Sequence, residues 1–206
     1  MIGIIDYGMG NLRSVAKAFE LLGAEVLISG NSEELVVAEK LVLPGVGAFG
    51  DGMENLRKRG LVDFLDKEVN RNGKMILGIC LGMQLLAERG FERGENRGLG
   101  WIGGEVRKFS VDGQGLKVPH VGWNEVRFGR DDPLFRGIRN GSCFYFVHSY
   151  HMACRDRADV LATCNYGHDF TAAVRKKNIM GTQFHPEKSQ DAGLRILENY
   201  LNMGVP

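Results

Sequence analysis

Residues 75–87 read Met-Ile-Leu-Gly-Ile-Cys-Leu-Gly-Met-Gln-Leu-Leu-Ala, and this stretch decides the fold. An apolar run precedes Cys80, and a pattern typical of a helix follows it. The stretch therefore predicts a strand, a sharp turn and a helix, with the thiol exposed at the apex of the turn. Such a turn strains the backbone, so flanking residues without a Cβ are useful there, and the helix N-terminus favours anions. Cys80 is accordingly predicted to act as a nucleophilic thiolate.

A base for this thiol is predicted much further along the chain, at His185-Pro186-Glu187. Residues i and i+2 of a strand point to the same face, which would place the Glu187 carboxylate beside the His185 imidazole. A carboxylate in that position fixes the tautomer of the ring and stabilises the imidazolium. The sequence thus predicts that Cys80, His185 and Glu187 act together as nucleophile, base and orienting acid.

The length, composition and charge of the chain restrict the class of protein to which it can belong. The chain has 206 residues, of which 44% are hydrophobic and 25% charged, and its net charge is +1. These values predict a single globular domain over residues 1–206, since no internal repeat or linker is visible. The charge argues against nucleic acid or an anionic membrane as a partner. No apolar run is long enough to span a bilayer, and no signal peptide is visible, so a cytoplasmic protein is expected.

The cysteines argue against a metal site. None of the four forms a Cys-x-x-Cys pair, so zinc and thioredoxin-like chemistry are disfavoured, and no metal or cofactor is expected. Disulfides are not expected in a reducing cytoplasm. Cys143, Cys154 and Cys164 are interpreted as small, buried, inert hydrophobic residues.

Strands and helices are predicted to alternate through the first half of the chain. The strands cover residues 2–6, 25–29, 40–43 and 74–79, and the helices cover residues 11–22, 31–38 and 53–70. Such alternation predicts an α/β fold: an open, mostly parallel, flavodoxin-like sheet flanked by helices. Ligands of such sheets bind at the carboxyl ends of the strands, where Cys80 lies.

The second half changes character. Short β segments are predicted over residues 98–109, 117–128 and 143–150, and a hairpin joins 172–176 to 179–184 across Lys177-Asn178. A closing helix is predicted over residues 191–201. These segments predict an antiparallel β addition to the parallel sheet.

Two glycine-rich loops have alternative readings. Residues 44–47, Pro-Gly-Val-Gly, are either an ordinary turn or an oxyanion hole, and the adjacent elbow favours the oxyanion hole with the Leu81 N–H as its second donor. Residues 8–11, Gly-Met-Gly-Asn, lack the full phosphate-binding spacing. They are interpreted as a tight turn with Asn11 at the helix N-cap.

The histidines other than His185 have no clear catalytic partner in the sequence, and His148 is considered apart from the other three. His148, in His148-Ser149-Tyr150, is either structural or part of a polar cluster that orients a substrate, and both readings stay open. His120, His151 and His168 are interpreted as structural or surface residues.

The motifs together resemble a known family. Residues 78–84 (Gly-Ile-Cys-Leu-Gly-Met-Gln) and 183–189 (Gln-Phe-His-Pro-Glu-Lys-Ser) resemble the class I, or triad, glutamine amidotransferases. The wider pattern is similar to the HisH family of glutaminase subunits of imidazole glycerol phosphate synthase, and it runs nearly from end to end. The supporting stretches are residues 6–11, 44–47, 118–124 and 146–150.

This resemblance implies an activity. L-Glutamine would be hydrolysed to glutamate and ammonia through a thioester on Cys80, with His185 and Glu187 completing the triad. The oxyanion would be held by backbone N–H groups of Leu81 and of the Val46–Gly47 turn. The positions that match substrate contacts of the family are Gly45, Gln84, Ser149 and Tyr150.

The resemblance also implies a partner. In the HisH family the ammonia passes to a synthase subunit, the cyclase HisF, which makes imidazole glycerol phosphate in histidine biosynthesis. The positions that match that interface are Asn11, Trp123, Tyr145 and Lys188. Departures at Trp101, His151 and Cys154 leave an alternative, a HisH-like paralogue that supplies ammonia to a sugar amidotransferase in surface polysaccharide biosynthesis. A cysteine peptidase and a non-enzymatic module are alternatives from other classes.

Overall fold

The first half of the chain alternates strands and helices. The computed structural model describes residues 1–111, 113 and 115–204. Its first elements are β1 (Ile2–Ile5), α1 (Leu12–Leu21), β2 (Val26–Ser29), α2 (Ser32–Leu35), β3 (Lys40–Leu43), α3 (Phe49–Lys58), α4 (Leu61–Leu65), a π-helical turn (Asp66–Arg71), β4 (Met75–Ile79) and α5 (Leu81–Leu85).

The second half consists mainly of strands. They are β5 (Ala87–Gly90), β6 (Asn96–Arg97), β7 (Ile102–Lys108), β8 (His120–Phe128), β9 (Cys143–His148), β10 (Tyr150–Cys154), β11 (Val160–Asn165), β12 (Asp169–Lys176) and β13 (Ile179–Thr182). Helix α6 (Gln190–Asn202) follows, and short 3₁₀ turns cover Pro133–Phe135, Arg157–Asp159 and Pro186–Lys188.

One large mixed sheet organises these elements. Its order is β2-β1-β3-β4-β13-β12-β11-β8-β9; the first five strands are parallel and the other four antiparallel. A smaller sheet has the order β10-β7-β5-β6. The predicted α/β fold with an antiparallel addition is confirmed. Strands β4 and β13 are neighbours, with Thr182 paired to Ile79, so the segments after them leave the sheet side by side.

Side chains at alternating positions along each strand pack on opposite faces of the sheet. Ile4 and Leu77 belong to one apolar cluster, whereas Ile5 and Ile76 belong to the other. Helices α1 and α6 pack in the first cluster, and α3 and α5 in the second. Burial on both faces is what allows nearly continuous apolar strands such as Met75–Ile79.

Several predicted boundaries were wrong. The helix predicted over residues 53–70 begins at Phe49 and is interrupted at Gly60, whose φ of 66° is left-handed. The helix after Cys80 has five residues, and the chain then enters β5, which was not predicted. Strand β11 was also missed. The segment predicted over 143–150 splits at Ser149 between the two sheets.

Other local expectations fared better. The hairpin across Lys177-Asn178 is confirmed, although its strands are Asp169–Lys176 and Ile179–Thr182. Asn11 occupies the N-cap of α1, but its side chain makes no capping hydrogen bond. Asn31 caps α2 by accepting from the Glu33 N–H at 3.0 Å. Within the described part of the chain, every helix is too short or too polar to cross a membrane.

Candidate active site

The strand, turn and helix predicted around Cys80 are present. Cys80 joins β4 to α5 with φ 55° and ψ −108°, a conformation that residues with a side chain rarely adopt. Its N–H donates to the Thr182 carbonyl at 2.8 Å, and its carbonyl accepts from the Gln84 N–H at 3.2 Å. The turn is therefore held from both sides by the neighbouring strand and the helix.

The glycines around Cys80 serve close packing. A Cβ on Gly82 would lie 1.7 Å from the Leu43 carbonyl oxygen, and one on Gly78 would lie 2.7 Å from backbone atoms of Gly82. Neither glycine has a positive φ. The prediction that residues without a Cβ are useful beside Cys80 is confirmed, because any Cβ at these two positions would clash, and the strained conformation belongs to Cys80 itself.

Cys80 is less exposed than predicted, at 6%. It opens onto a cleft of about 420 Å³. The other lining residues are Val46, Gly47, Ala48, Leu81, Gln84, Glu92, Arg93, Pro119, Val147, His148, Ser149 and Tyr150. A larger cleft of about 640 Å³ lies against residues 128–140 and includes none of the predicted site residues.

His185 and Glu187 are in direct contact. His185 Nδ1 lies 2.8 Å from Glu187 Oε1, and the two side chains are 2% and 1% exposed. The contact was expected, but for the wrong reason: β13 ends at Thr182, and Glu187 lies in the 3₁₀ turn Pro186–Lys188 that follows His185. The tight turn, rather than strand alternation, folds the carboxylate back onto the ring.

The surroundings of His185 favour its protonated form. Burial by itself lowers the pKa of His185, but the Cys80 sulfur and the Glu187 carboxylate raise it more, to about 10. Among the described residues, His185 Nε2 has no partner in normal hydrogen-bond geometry. The Cys80 sulfur nevertheless raises the pKa of His185 more than any other group does. This arrangement suits a thiolate paired with an imidazolium.

The predicted oxyanion turn lies beside Cys80. Gly47 has a φ of 110°, and Val46 is 42% exposed at the cleft. A Cβ on Gly45 would lie 2.2 Å from the Tyr7 hydroxyl oxygen, so only glycine fits there. The Leu81 N–H donates to the Gly45 carbonyl at 3.3 Å, so this donor is engaged within the protein by a long hydrogen bond.

Three of the four predicted substrate contacts line the same cleft, and Gly45 is not among its lining residues. Gln84 is buried, and its Nε2 donates to the Tyr150 carbonyl at 2.8 Å and to Gln183 Oε1 at 3.0 Å. Both N–H groups of the Gln84 amide are thus occupied, and its carbonyl oxygen is the group left for a ligand. Ser149 and Tyr150 line the cleft as well.

Sequence reasoning missed two charged residues of the cleft, Glu92 and Arg93. Glu92 Oε2 accepts from the Phe49 N–H at 2.9 Å, which ties the loop after β5 to the start of α3. Arg93 adopts a φ of 54°. No pattern in the sequence singles these residues out, because they lie in an irregular loop between two short strands.

Three of the four predicted interface residues form one surface. Trp123 and Tyr145 are paired in β8 and β9, with ring centroids 6.0 Å apart, and Lys188 Nζ lies 5.8 Å from the Tyr145 centroid. Trp123 is 48% exposed and Val121 on the same strand is 56% exposed. Asn11 is partly exposed at the start of α1.

The remaining histidines are mostly buried. His120 Nδ1 lies 3.1 Å from His148 Nε2, and burial lowers the pKa of His120 to about 4 and that of His148 to about 3. His151 is 2% exposed and lies 3.4 Å, Nε2 to Nε2, from His168. His148 also lines the cleft, so it has a structural contact and a place in the candidate site.

The other cysteines are free thiols. Cys164 is buried and Cys154 partly so, but Cys143 is exposed, which contradicts its interpretation as a buried residue. Within residues 1–111, 113 and 115–204, no group of three or more His, Cys, Asp or Glu side chains could hold a metal ion.

Known proteins are similar to this chain in sequence and in fold. A sequence model of the family "Glutamine amidotransferase class-I" matches residues 3–203. Imidazole glycerol phosphate synthase subunit HisH 1 of Campylobacter jejuni is 53% identical over 98% of this chain and 100% of its own length. Subunit HisH of Sulfurimonas denitrificans is 52% identical over 97% of each chain. A structure of PurLQS from Thermotoga maritima, 22% identical, superimposes with a TM-score of 0.76 over 98% of this chain and 97% of that one.

The chain therefore belongs to the class I glutamine amidotransferase family and, within it, to the HisH subunits.

Proposed function

We propose that this chain hydrolyses L-glutamine at Cys80 and passes the ammonia to a cyclase partner of the HisF type, which makes imidazole glycerol phosphate in histidine biosynthesis. The observation that carries the proposal is a buried His185–Glu187 pair beside a cysteine held at a strained elbow. The full-length relatives with about half of their residues identical are named as subunits of that synthase. The proposed location is the cytoplasm, whose reducing conditions suit four free cysteines.

In the first step, the Cys80 sulfur attacks the side-chain amide carbon of glutamine and a C–S bond forms. The carbonyl π electrons move to oxygen, and this oxyanion needs backbone N–H donors. Leu81 and the Val46–Gly47 turn are the proposed donors. Because the Leu81 N–H is engaged by the Gly45 carbonyl, the turn must move to free it. The left-handed φ of Gly47 leaves the turn conformational freedom for that movement.

In the second step, His185 gives its proton to the leaving amide nitrogen, and ammonia departs from the γ-glutamyl thioester. Neutral His185 then takes a proton from water, which attacks the thioester and releases glutamate. Glu187 holds the ring through Nδ1 in both steps. The balance is one glutamine and one water consumed, with one glutamate and one ammonia produced.

The partner surface is proposed to be the face formed by Trp123, Tyr145 and Lys188, together with Asn11. Aromatic residues such as Trp123 and Tyr145, paired on neighbouring strands, are enriched at protein interfaces, and Lys188 adds a cation beside Tyr145 from a 3₁₀ turn. Ammonia is mostly protonated at neutral pH, so direct transfer to a partner preserves its nucleophilicity.

The test replaces Cys80 with Ser in the complex with the partner. We expect glutamine-dependent synthesis to fall at least about 10³-fold, and synthesis supplied with ammonium salt to stay at the wild-type rate. Cys143→Ser, an exposed free thiol, is the matched control and is expected to keep both activities. Equal losses with both nitrogen sources in Cys80→Ser would contradict the division of labour.

Co-purification identifies the acceptor. Recovery of a barrel cyclase supports the proposed pathway, and recovery of a sugar amidotransferase instead would move the chain to the alternative branch while leaving the glutaminase chemistry intact.

A further inference from the structure

A buried glutamine lies against the nucleophile. Gln183 Nε2 lies 3.7 Å from Cys80 Sγ, within hydrogen-bond range for sulfur. Gln183 directly follows Thr182, the residue whose carbonyl holds the Cys80 N–H, and it is completely buried. None of the steps described above uses this side chain.

Neighbouring groups decide which end of the Gln183 amide faces the sulfur. A backbone carbonyl can only accept, so the short contact of Gln84 with the Tyr150 oxygen must come from the NH₂ group of Gln84. The second hydrogen of that NH₂ group points to Gln183, which must therefore present its oxygen. The NH₂ group of Gln183 is then the end that faces Cys80.

The Tyr150 carbonyl is itself held in place by His148, which in turn contacts His120. His148 Nδ1 lies 2.8 Å from this oxygen and must donate to it, which leaves His148 Nε2 to accept from His120 Nδ1 at 3.1 Å. The low pKa values of both rings agree with neutral imidazoles that each carry one N–H. His120 Nε2 accepts in turn from Asn124, whose NH₂ group is fixed by the Asn165 carbonyl.

In each contact from Asn124 through the two histidines to the Tyr150 oxygen, only one group can be the donor and only one the acceptor. The same oxygen receives a second donor from Gln84, and the amide chain continues to the sulfur. A network with one consistent assignment resists reorientation, because turning one amide would place two donors or two acceptors face to face in a buried site.

We infer that Gln183 donates a hydrogen bond to the Cys80 sulfur that favours the thiolate, and that Gln84 holds Gln183 in the donating orientation. A thiolate is a better acceptor than a thiol, so a fixed N–H donor stabilises the ionised form. Gln183 contacts the reacting atom and is therefore a catalytic residue, whereas Gln84 is a positioning residue for it. The inference rests on the proposed glutaminase function, since only there does the thiolate act.

The test measures the ionisation of Cys80 directly. Gln183→Glu keeps the size of the side chain and an oxygen for Gln84 but has no N–H to give to sulfur. Iodoacetamide alkylation of the Cys80 peptide, followed by mass spectrometry across pH in the complex with the partner, gives a pH midpoint for each variant. We expect the midpoint to rise by at least about one unit and the glutamine-dependent rate at pH 7 to fall at least about tenfold.

Two further variants separate the effect of the Gln183 hydrogen bond from the effect of its packing. Gln183→Met fills the same space without any polar group and is expected to raise the midpoint as well, but less than Gln183→Glu, whose carboxylate opposes the thiolate. Gln84→Met leaves Gln183 in place but frees its amide to turn, so a smaller rise is expected. Ammonium-dependent synthesis stays unchanged in all three.

The inference is overturned if the midpoint stays within about 0.3 units of wild type in folded Gln183→Met and Gln84→Met. If Gln183→Glu does not fold, those two variants decide. Failure of the proposed function has a different signature, because wild-type complex would then not hydrolyse glutamine whatever the midpoints are.

Discussion

At the scale of single residues, the nucleophile is positioned at an energetic cost. A residue with a side chain at φ 55° and ψ −108° costs roughly 1–3 kcal/mol and persists only when its surroundings hold it. Here the Thr182 carbonyl and the Gln84 N–H hold the backbone of Cys80. The side chain consequently points into the cleft even though the residue is almost fully buried.

The His185–Glu187 pair gives a prediction at the same scale. In Glu187→Gln, an amide NH₂ facing Nδ1 would leave the proton on Nε2, which is the wrong tautomer for a base toward Cys80. The loss of the carboxylate also lowers the pKa of His185 from its raised value of about 10. We expect the glutamine-dependent rate to fall by about 10³-fold, measured as glutamate release in the complex with the partner.

Glu198→Gln is the matched control for this substitution, because Glu198 pairs with Arg195 on the surface. It is expected to keep full activity. Wild-type glutamate release by Glu187→Gln would show that the carboxylate does not orient the base.

At the scale of elements, the elbow is packed against the end of a neighbouring strand. Helix α5 starts so close to β3 that the Leu43 carbonyl leaves no room for a side chain at Gly82. The Gly45 carbonyl after the same strand accepts from the Leu81 N–H. The nucleophile and the oxyanion turn are thereby kept side by side, because both are bound to the carboxyl end of β3.

Gly82→Ala tests this packing. The added methyl group would lie 1.7 Å from the Leu43 oxygen, so helix or strand must shift. We expect the free energy of unfolding to fall by about 3 kcal/mol, measured by urea denaturation. Gly103→Ala is the matched control, since its nearest neighbour would be the Arg155 side chain at 3.7 Å and its φ is not left-handed. Equal stabilities of the two variants would refute the argument.

At the scale of the whole molecule, a cluster of rings joins the two sheets. Phe109 follows β7 of the smaller sheet and packs on His148, His151 and Phe170, with centroids 5.1, 4.7 and 5.1 Å away. Phe170 belongs to β12 of the large sheet. Burial lowers the pKa of the imidazoles inside this cluster, so the folded chain favours their neutral form.

His151 makes the stability of this ring cluster depend on pH. The pKa of His151 is lowered from 6.5 to about 4, mainly by burial and also by the nearby His168 and Arg107, although its contact with the Met152 carbonyl acts in the opposite direction. Below pH 6.5 His151 is protonated in the unfolded chain, whereas in the folded chain it stays neutral until about pH 4. The free energy of unfolding therefore falls as the pH decreases through that window. His185 has the opposite sign, because its raised pKa stabilises the fold below pH 6.5 and this contribution is lost as the pH rises toward 10.

We expect His151→Phe to reduce the loss of stability between pH 7 and pH 5 by about 1–2 kcal/mol, measured by urea denaturation at each pH. Leu35→Ala is the control: it removes buried packing on α2, beside β2 at the opposite edge of the large sheet from β9, and is expected to lower stability equally at both pH values. A His151→Phe curve parallel to wild type would show that His151 does not titrate in this way.

Local sequence chemistry predicted much of the site. The strand–turn–helix around Cys80 follows from an apolar run, a cysteine between glycines and a helical pattern, all within a few residues. The contact of His185 with Glu187 could also be predicted, since the two residues are adjacent in any compact conformation, although strand alternation was not its cause. Helix lengths were predicted poorly, because Gly60 and the early start of β5 override periodicity.

By itself, the sequence determined which residues could carry chemistry and that strands and helices alternate, because these properties depend on neighbours along the chain. Only the tertiary structure decided that β13 lies beside β4, which brings His185 and Gln183 to Cys80. It likewise decided that Gln84, Tyr150 and Gln183 share one directed network. The physical reason is that strand order and buried hydrogen-bond direction are set by packing among distant segments, for which local patterns contain no information.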